Sequence, residues 1–123
     1  MYEVSVKRSF SAAHKLKIGG KCENLHGHNF IVEVTVSTEK LNSEGIVIDF
    51  RLLKQWTTKV IDEMDHTYLN DLPLFKDISP TSENVARIIY EKIAGMINKP
   101  GVTLSQVSIW ESESSRVSYR GNE

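Results

Sequence analysis

The sequence predicts an α+β fold: an antiparallel sheet with two helices packed on one face. Three observations predict it. Both ends of the chain alternate apolar and polar residues, the middle changes to an apolar spacing of three or four, and the resulting element order is ββααββ. The 123 residues match the commonest size of a single domain, and no repeat, low-complexity stretch or linker divides them. One domain over residues 1–123 is therefore expected.

From Tyr2 to Ala12 the even positions Tyr2, Val4, Val6, Phe10 and Ala12 are apolar, while Glu3, Ser5, Lys7, Ser9 and Ser11 are polar. That period of two marks a half-buried strand. The segment from Lys15 to Glu23 holds Gly19-Gly20 and reads as a turn or loop. A second strand sets Phe30, Val32, Val34 and Val36 on one face and Glu33, Thr35 and Ser37 on the other. From Asp49, a residue suited to cap a helix, Phe50, Leu53, Trp56, Val60 and Met64 form a helical stripe. A loop from Asp65 to Ser79 follows. After Pro80 the stripe Val85, Ile89, Ile93 and Met96 predicts a second helix, stopped by Asn98-Lys99-Pro100-Gly101. Strands around Val102–Glu111 and Arg116–Arg120 close the chain. A four-stranded open sheet leaves two edges, which must be blunted or paired with another subunit.

Composition narrows the function. Fifteen Lys+Arg against 16 Asp+Glu give a net charge of −1, which speaks against a nucleic-acid binder. The scattered Lys7, Arg8, Lys15, Lys17 and Lys21 read instead as a solvated face or as contacts to a substrate phosphate. No apolar run approaches the roughly 18 residues of a spanning helix, and MYEVSVKRSF alternates where a signal peptide would be apolar. A cytoplasmic protein with no membrane partner is expected. A lone Cys22 cannot close an intramolecular disulfide, which leaves it a packed thiol or a reactive one. A domain this small has little room for a deep pocket, so a small-molecule site is expected between subunits.

His26-Gly27-His28 is the sharpest local feature. Residues two apart on a strand share a face, and Gly27 between them permits close backbone approach. His14 extends the buried parity of the first strand, so a hairpin of the two strands brings the three imidazoles together. Three His around Zn²⁺ leave one tetrahedral position open, as a catalytic site needs; Cys22 could instead close a structural site. Beside Lys21 and near a metal, the Cys22 thiolate would be favoured as a nucleophile or base. Asp65-His66 reads either as an acid–base pair or as a helix end with a favourably placed His. Glu111 shares the parity of Val107 and Ile109. It is thus a carboxylate on an apolar face that needs a partner, such as adjacent N–H donors of a substrate, or else it is exposed where the strand bulges.

Taken together, Phe10-Ser11-Ala12-Ala13-His14, Cys22-x-x-x-His26-Gly27-His28-Asn29, Gly45-Ile46-Val47-Ile48-Asp49-Phe50, Met64-Asp65-His66-x-x-Leu69-Asn70, Pro80-Thr81-Ser82-Glu83-Asn84 and Trp110-Glu111-Ser112 resemble the 6-pyruvoyl-tetrahydropterin synthase superfamily. The resemblance implies a tunnelling fold whose subunits join into a homohexamer, a dimer of trimers, with active sites between subunits. It implies Zn²⁺ held by His14, His26 and His28, and 7,8-dihydroneopterin triphosphate as substrate. Cys22 matches the family's thiolate, Asp65 and His66 its acid–base pair, and Glu111 the carboxylate gripping the pterin's amino-pyrimidine edge. Thr81 and Ser82 match hydroxyl positions near the ring. Ser112 departs from the family's usual Thr after that Glu.

The three-residue gap between Cys22 and His26 resembles the branch of the superfamily that serves queuosine synthesis and makes 6-carboxytetrahydropterin, acetaldehyde and triphosphate. Glu23 directly after Cys22 also resembles a branch that uses such a Glu to release glycolaldehyde, leaving 6-hydroxymethyl-dihydropterin for folate. A non-catalytic zinc or pterin-binding module on the same fold is the alternative of another class.

Overall fold

The computed structural model describes residues 1–18, 21, 22 and 24–121, and for residues 21 and 22 the backbone only. The first alternating stretch forms β1 (Tyr2–His14), followed by a small hairpin, β2 (Lys17–Ile18) and β3 (Lys21–Cys22). Then come β4 (His26–Thr38), α1 (Phe50–Ile61), β5 (Thr67–Tyr68), α2 (Ser82–Ala94), β6 (Thr103–Ser112) and β7 (Ser115–Tyr119). Two single 3₁₀ turns, Leu69–Asp71 and Pro73–Phe75, connect β5 to α2.

The main sheet has the order β5-β1-β4-β6-β7. Four of these strands are the antiparallel set the alternation predicts. The fifth, β5, adds a parallel edge through Ala12↔Thr67 and Ala13↔Tyr68. α1 lies against β1, α2 against β6 and β7, and the helices touch each other. They cover the face that carries Val6, Phe10, Phe30, Val32, Val34, Val107 and Ile109, all buried. Fully burying each such side chain contributes about 1.5–3 kcal/mol. Phe10 and Phe30 stack at 5.0 Å in the middle of this layer. The opposite face is polar and held by hydroxyl pairs: Ser5 with Thr35, Ser37 with Ser105, and Ser108 with Ser118.

Several residues depart from the predicted pattern. Tyr2 and Phe50, expected on buried faces, are exposed at the first positions of β1 and α1, beyond the reach of the opposing layer. In α1 the stripe is completed by Thr57 and Ile61. The Thr57 hydroxyl is buried without penalty because it donates to the Leu53 carbonyl at 2.8 Å. α2 ends at Ala94, ahead of the Asn98–Gly101 stop, where Gly95 and Met96 fold back on the carbonyls of Glu91 and Ile93. Asp49 and Thr81 cap the two helices by accepting from the backbone N–H of Arg51 and Asn84.

Candidate metal centre and active site

The register of β1 on β4 decides the site. His14 lies directly opposite His26, and Ala12 opposite His28. All three imidazoles therefore stand on the helix-covered face at one end of the sheet, in line with Phe10 and Phe30. Their ring centroids are 4.6 to 5.3 Å apart, and Phe30 packs edge-on beneath His14 and His28.

Hydrogen bonds fix the tautomers of two rings. His14 Nδ1–H donates to the Pro80 carbonyl at 2.8 Å, and His26 Nδ1–H donates to the Asn24 carbonyl at 2.9 Å. A carbonyl only accepts, so each Nδ1 carries a proton, and Nε2 is the nitrogen left to turn toward a metal. Such outer partners orient metal-binding imidazoles. The Nε2 atoms of His14 and His28 are buried and have no hydrogen-bond partner. Burial holds the His28 pKa below its ordinary value against the opposing pull of Glu111, and the neighbouring His14 and His26 lower it further. A neutral imidazole is the form that binds a metal.

Glu111 completes the cluster. Its Oε1 lies 3.1 Å from His14 Nε2 and 3.3 Å from His28 Nε2, and the four ligand atoms are within 4.8 Å of one another. Donors around a tetrahedral ion with bonds of about 2.1 Å sit about 3.4 Å apart. Small side-chain shifts bring this group to that spacing, so the residues fit a divalent metal.

Glu111 owes its aim to a β-bulge. β6 pairs with β7 as Trp110↔Arg116 and then Ser112↔Ser115, which leaves Glu111 as the extra residue. Parity and bulge thus act together: it shares the apolar face and is still one third exposed. It also lines a cavity of about 390 Å³ with Thr81, Ser82, Glu83 and Leu16. The buried Ser82 hydroxyl in that wall has no partner. A larger hollow of about 870 Å³ lies at the far end of the sheet, between residues 38–49 and 99–102, away from the imidazoles.

Asp65 and His66 occupy a different place. They sit in the turn after α1, docked on the outer edge of β1. The Ser11 N–H donates to Asp65 Oδ1 at 2.9 Å, and the His66 N–H donates to the Ser11 carbonyl at 2.6 Å. His66 Nδ1 is 3.1 Å from Asp65 Oδ2, so the carboxylate orients the ring. The hydrogen bond from Ser11, aided by His66, holds the Asp65 pKa below its ordinary value. His66 adopts φ +58° and its side chain is 82% exposed. It lines a shallow hollow at the edge of β1 with Ser11, Gly27, Asn29 and also His28. The structure therefore gathers His14, His26, His28 and Glu111 into one donor group, with Thr81 and Ser82 in the adjoining cavity wall, and keeps Asp65–His66 outside that group on the outer edge of β1.

The Cys22 side chain and Glu23 lie outside the described residues. Gly27 is not required for close packing: a Cβ there would meet the Ala12 carbonyl at 3.6 Å, an ordinary contact. Among the scattered cations, Lys7 stands 4.9 Å over the Trp110 ring on the polar face, and Arg8 lines a hollow beside α1. Sequence reasoning missed two positioning groups, the carbonyls of Pro80 and Asn24. Both are backbone atoms, and no residue-type signal could have marked them.

Fold and cluster define a helix-backed sheet protein with a donor group that could hold a metal beside a small cavity. The chain belongs to the 6-pyruvoyl tetrahydropterin synthase family, whose model matches residues 3–122. It is 37% identical over 110 residues to a putative 6-carboxy-5,6,7,8-tetrahydropterin synthase of Archaeoglobus fulgidus, covering 89% of this chain and 88% of that one. It is 42% identical over 106 residues to the dihydroneopterin monophosphate aldolase of Pyrococcus furiosus, covering 85% of each. The solved structure of Caenorhabditis elegans 6-pyruvoyl tetrahydropterin synthase superposes with a TM-score of 0.83 at 33% identity, over 99% of this chain and 98% of that one. The fold is the tunnelling fold of this family, and the family is one of pterin synthases.

Proposed function

We propose that residues 1–123 form one domain of a zinc-dependent, cytoplasmic 6-carboxy-5,6,7,8-tetrahydropterin synthase. It converts 7,8-dihydroneopterin triphosphate to 6-carboxytetrahydropterin, acetaldehyde and triphosphate for queuosine synthesis. The observation that carries this reading is the convergence of three imidazoles beside the cavity of Glu111, Thr81 and Ser82. The Cys22-x-x-x-His26 spacing favours the carboxy branch.

His14, His26 and His28 would hold the zinc, which supplies Lewis-acid polarisation of the substrate's side-chain hydroxyls. Glu111 accepts two N–H groups of the amino-pyrimidine edge, and the free Ser82 hydroxyl and Thr81 meet the ring. Cys22 takes a proton from the substrate side chain as thiolate. His66 delivers and removes protons at the same side chain, held in orientation by Asp65. Asp65–His66 dock on the outer edge of β1 and stand outside the imidazole–Glu111 group, so a second chain is a natural source of the pair that meets the substrate. This supports a site assembled between subunits of a homohexamer, a dimer of trimers. Sizing in solution tests it, since a monomer would contradict the composite site.

The Pyrococcus furiosus aldolase relative and the adjacency of Cys22 and Glu23 favour a second reading, cleavage to 6-hydroxymethyl-dihydropterin. Incubating zinc-loaded protein with 7,8-dihydroneopterin triphosphate and identifying the aldehyde decides between them. Acetaldehyde is expected, and glycolaldehyde alone would replace the first reading with the second.

A further inference from the structure

Glu111 faces two ways. On one side its Oε1 sits 3.1 Å from the buried Nε2 of His14, whose Nδ1 is engaged by the Pro80 carbonyl. His14 Nε2 makes no hydrogen bond, and neither does His28 Nε2 at 3.3 Å from the same oxygen. The four donor atoms lie within 4.8 Å of one another, a spacing that suits a cation placed among them. Three imidazoles and a carboxylate are moreover a complete tetrahedral donor set for zinc. On the other side the same residue lines the cavity that holds the unpartnered Ser82 hydroxyl.

We propose that Glu111 alternates between these two partners: it is the fourth ligand of the resting metal, and it releases the metal to grip the amino-pyrimidine edge of an arriving pterin. This rests on the reading of Glu111 as the ring anchor. The consequence is that ring recognition opens the coordination position. Gripping two adjacent ring N–H groups draws both oxygens of the carboxylate toward the cavity and away from the metal position, so the two events compete for Glu111. A compound with the hydroxylated side chain but no N–H pair leaves Glu111 in place and meets a closed metal.

The bulge makes the exchange feasible. Glu111 is the unpaired residue between two ladder pairs, and its side chain is one third exposed. Rotation of the side chain alone changes its partner, with no ladder hydrogen bond broken. Reciprocity then fixes the thermodynamics: pterin must weaken zinc binding by the same factor by which zinc weakens pterin binding.

Zinc affinity of the metal-free protein, measured by competition with a chromogenic chelator, tests the proposal with side-chain-free pterin as the ring probe. The unaltered protein should bind zinc about 10- to 100-fold more tightly than Glu111→Gln, the range typical of site coupling. Saturating pterin should weaken zinc binding to the unaltered protein and leave that of Glu111→Gln unchanged. X-ray absorption of the zinc-loaded unaltered protein needs no variant: it should show three imidazoles and a carboxylate, and lose the carboxylate when pterin is added. Equal zinc affinity in the two proteins, or pterin that leaves zinc binding unchanged or tightens it, overturns the exchange. None of these readouts involves turnover, so the product assignment can fail while the exchange stands. Pterin affinity that is identical in Glu111→Gln rejects the anchor role itself.

Discussion

The two histidine regions of this sheet are built on opposite physical terms. In the cluster of His14, His26 and His28 the rings are packed edge to face over Phe30, and His14 is wholly buried. Backbone carbonyls fix two of the tautomers. Such rings are held still, as a metal donor group needs. His66 stands in solvent on a left-handed backbone, joined to a carboxylate rather than a carbonyl. A carboxylate behind the ring supports the charged imidazolium, whereas a carbonyl only fixes which way a ring points. What stands behind the second nitrogen therefore separates the ring suited to be a fixed donor from the ring suited to pass a proton.

The contrast can be broken at either side. His14→Ala should have the largest effect: the protein loses zinc on gel filtration, and turnover drops by more than the about 100-fold that losing an outer-shell partner costs. Metal analysis of the purified variant checks this, and stoichiometric zinc would refute it. His66→Ala should lower kcat by about 10²- to 10⁴-fold, the worth of a general acid or base, while zinc content stays unchanged. If zinc were lost as well, the two regions would not be separate.

Smaller effects sharpen the picture. Thr81→Ala removes the cap of α2, whose preceding residue supplies the carbonyl that orients His14. A loss of about 1 kcal/mol is expected. Thermal unfolding should show a Tm lower by a few degrees, and Thr81→Ser should restore it. The smallest change concerns acid stability. The folded-state pKa of Asp65 lies below its ordinary value, so its contribution is present above pH about 4 and fades as pH falls through the lower folded value. Asp65→Asn should flatten that part of the Tm–pH curve, and an unchanged slope would show that the Ser11 contact does not stabilise the fold.

How much of this was legible follows from which interactions are local. The period of two placed β1, β4, β6 and β7, and the shared parity of His14, His26 and His28 predicted their convergence, because register carries parity across a ladder. β5 was not legible: two residues have no period, and they pair only because α1 delivers them to the free edge of β1. The docking of Asp65–His66 on the edge of β1 was hidden for the same reason, since the partners are the backbone N–H and carbonyl of Ser11, which carry no residue-type signal. For Glu111, parity and bulge were read as alternatives; the structure combines them.

The long pairing of β1 with β4 also has an evolutionary consequence. Thirteen consecutive partners run from Tyr2↔Thr38 to His14↔His26, so the ladder fixes the ligand geometry and the length of the 15–25 connection does not. A residue inserted within either strand would turn imidazoles to the wrong face. A residue added in the connection ahead of Asn24, whose carbonyl orients His26, would leave that register intact. The connection can vary while the register of the imidazoles is inherited whole, which fits a family whose relatives here bear three different activity names.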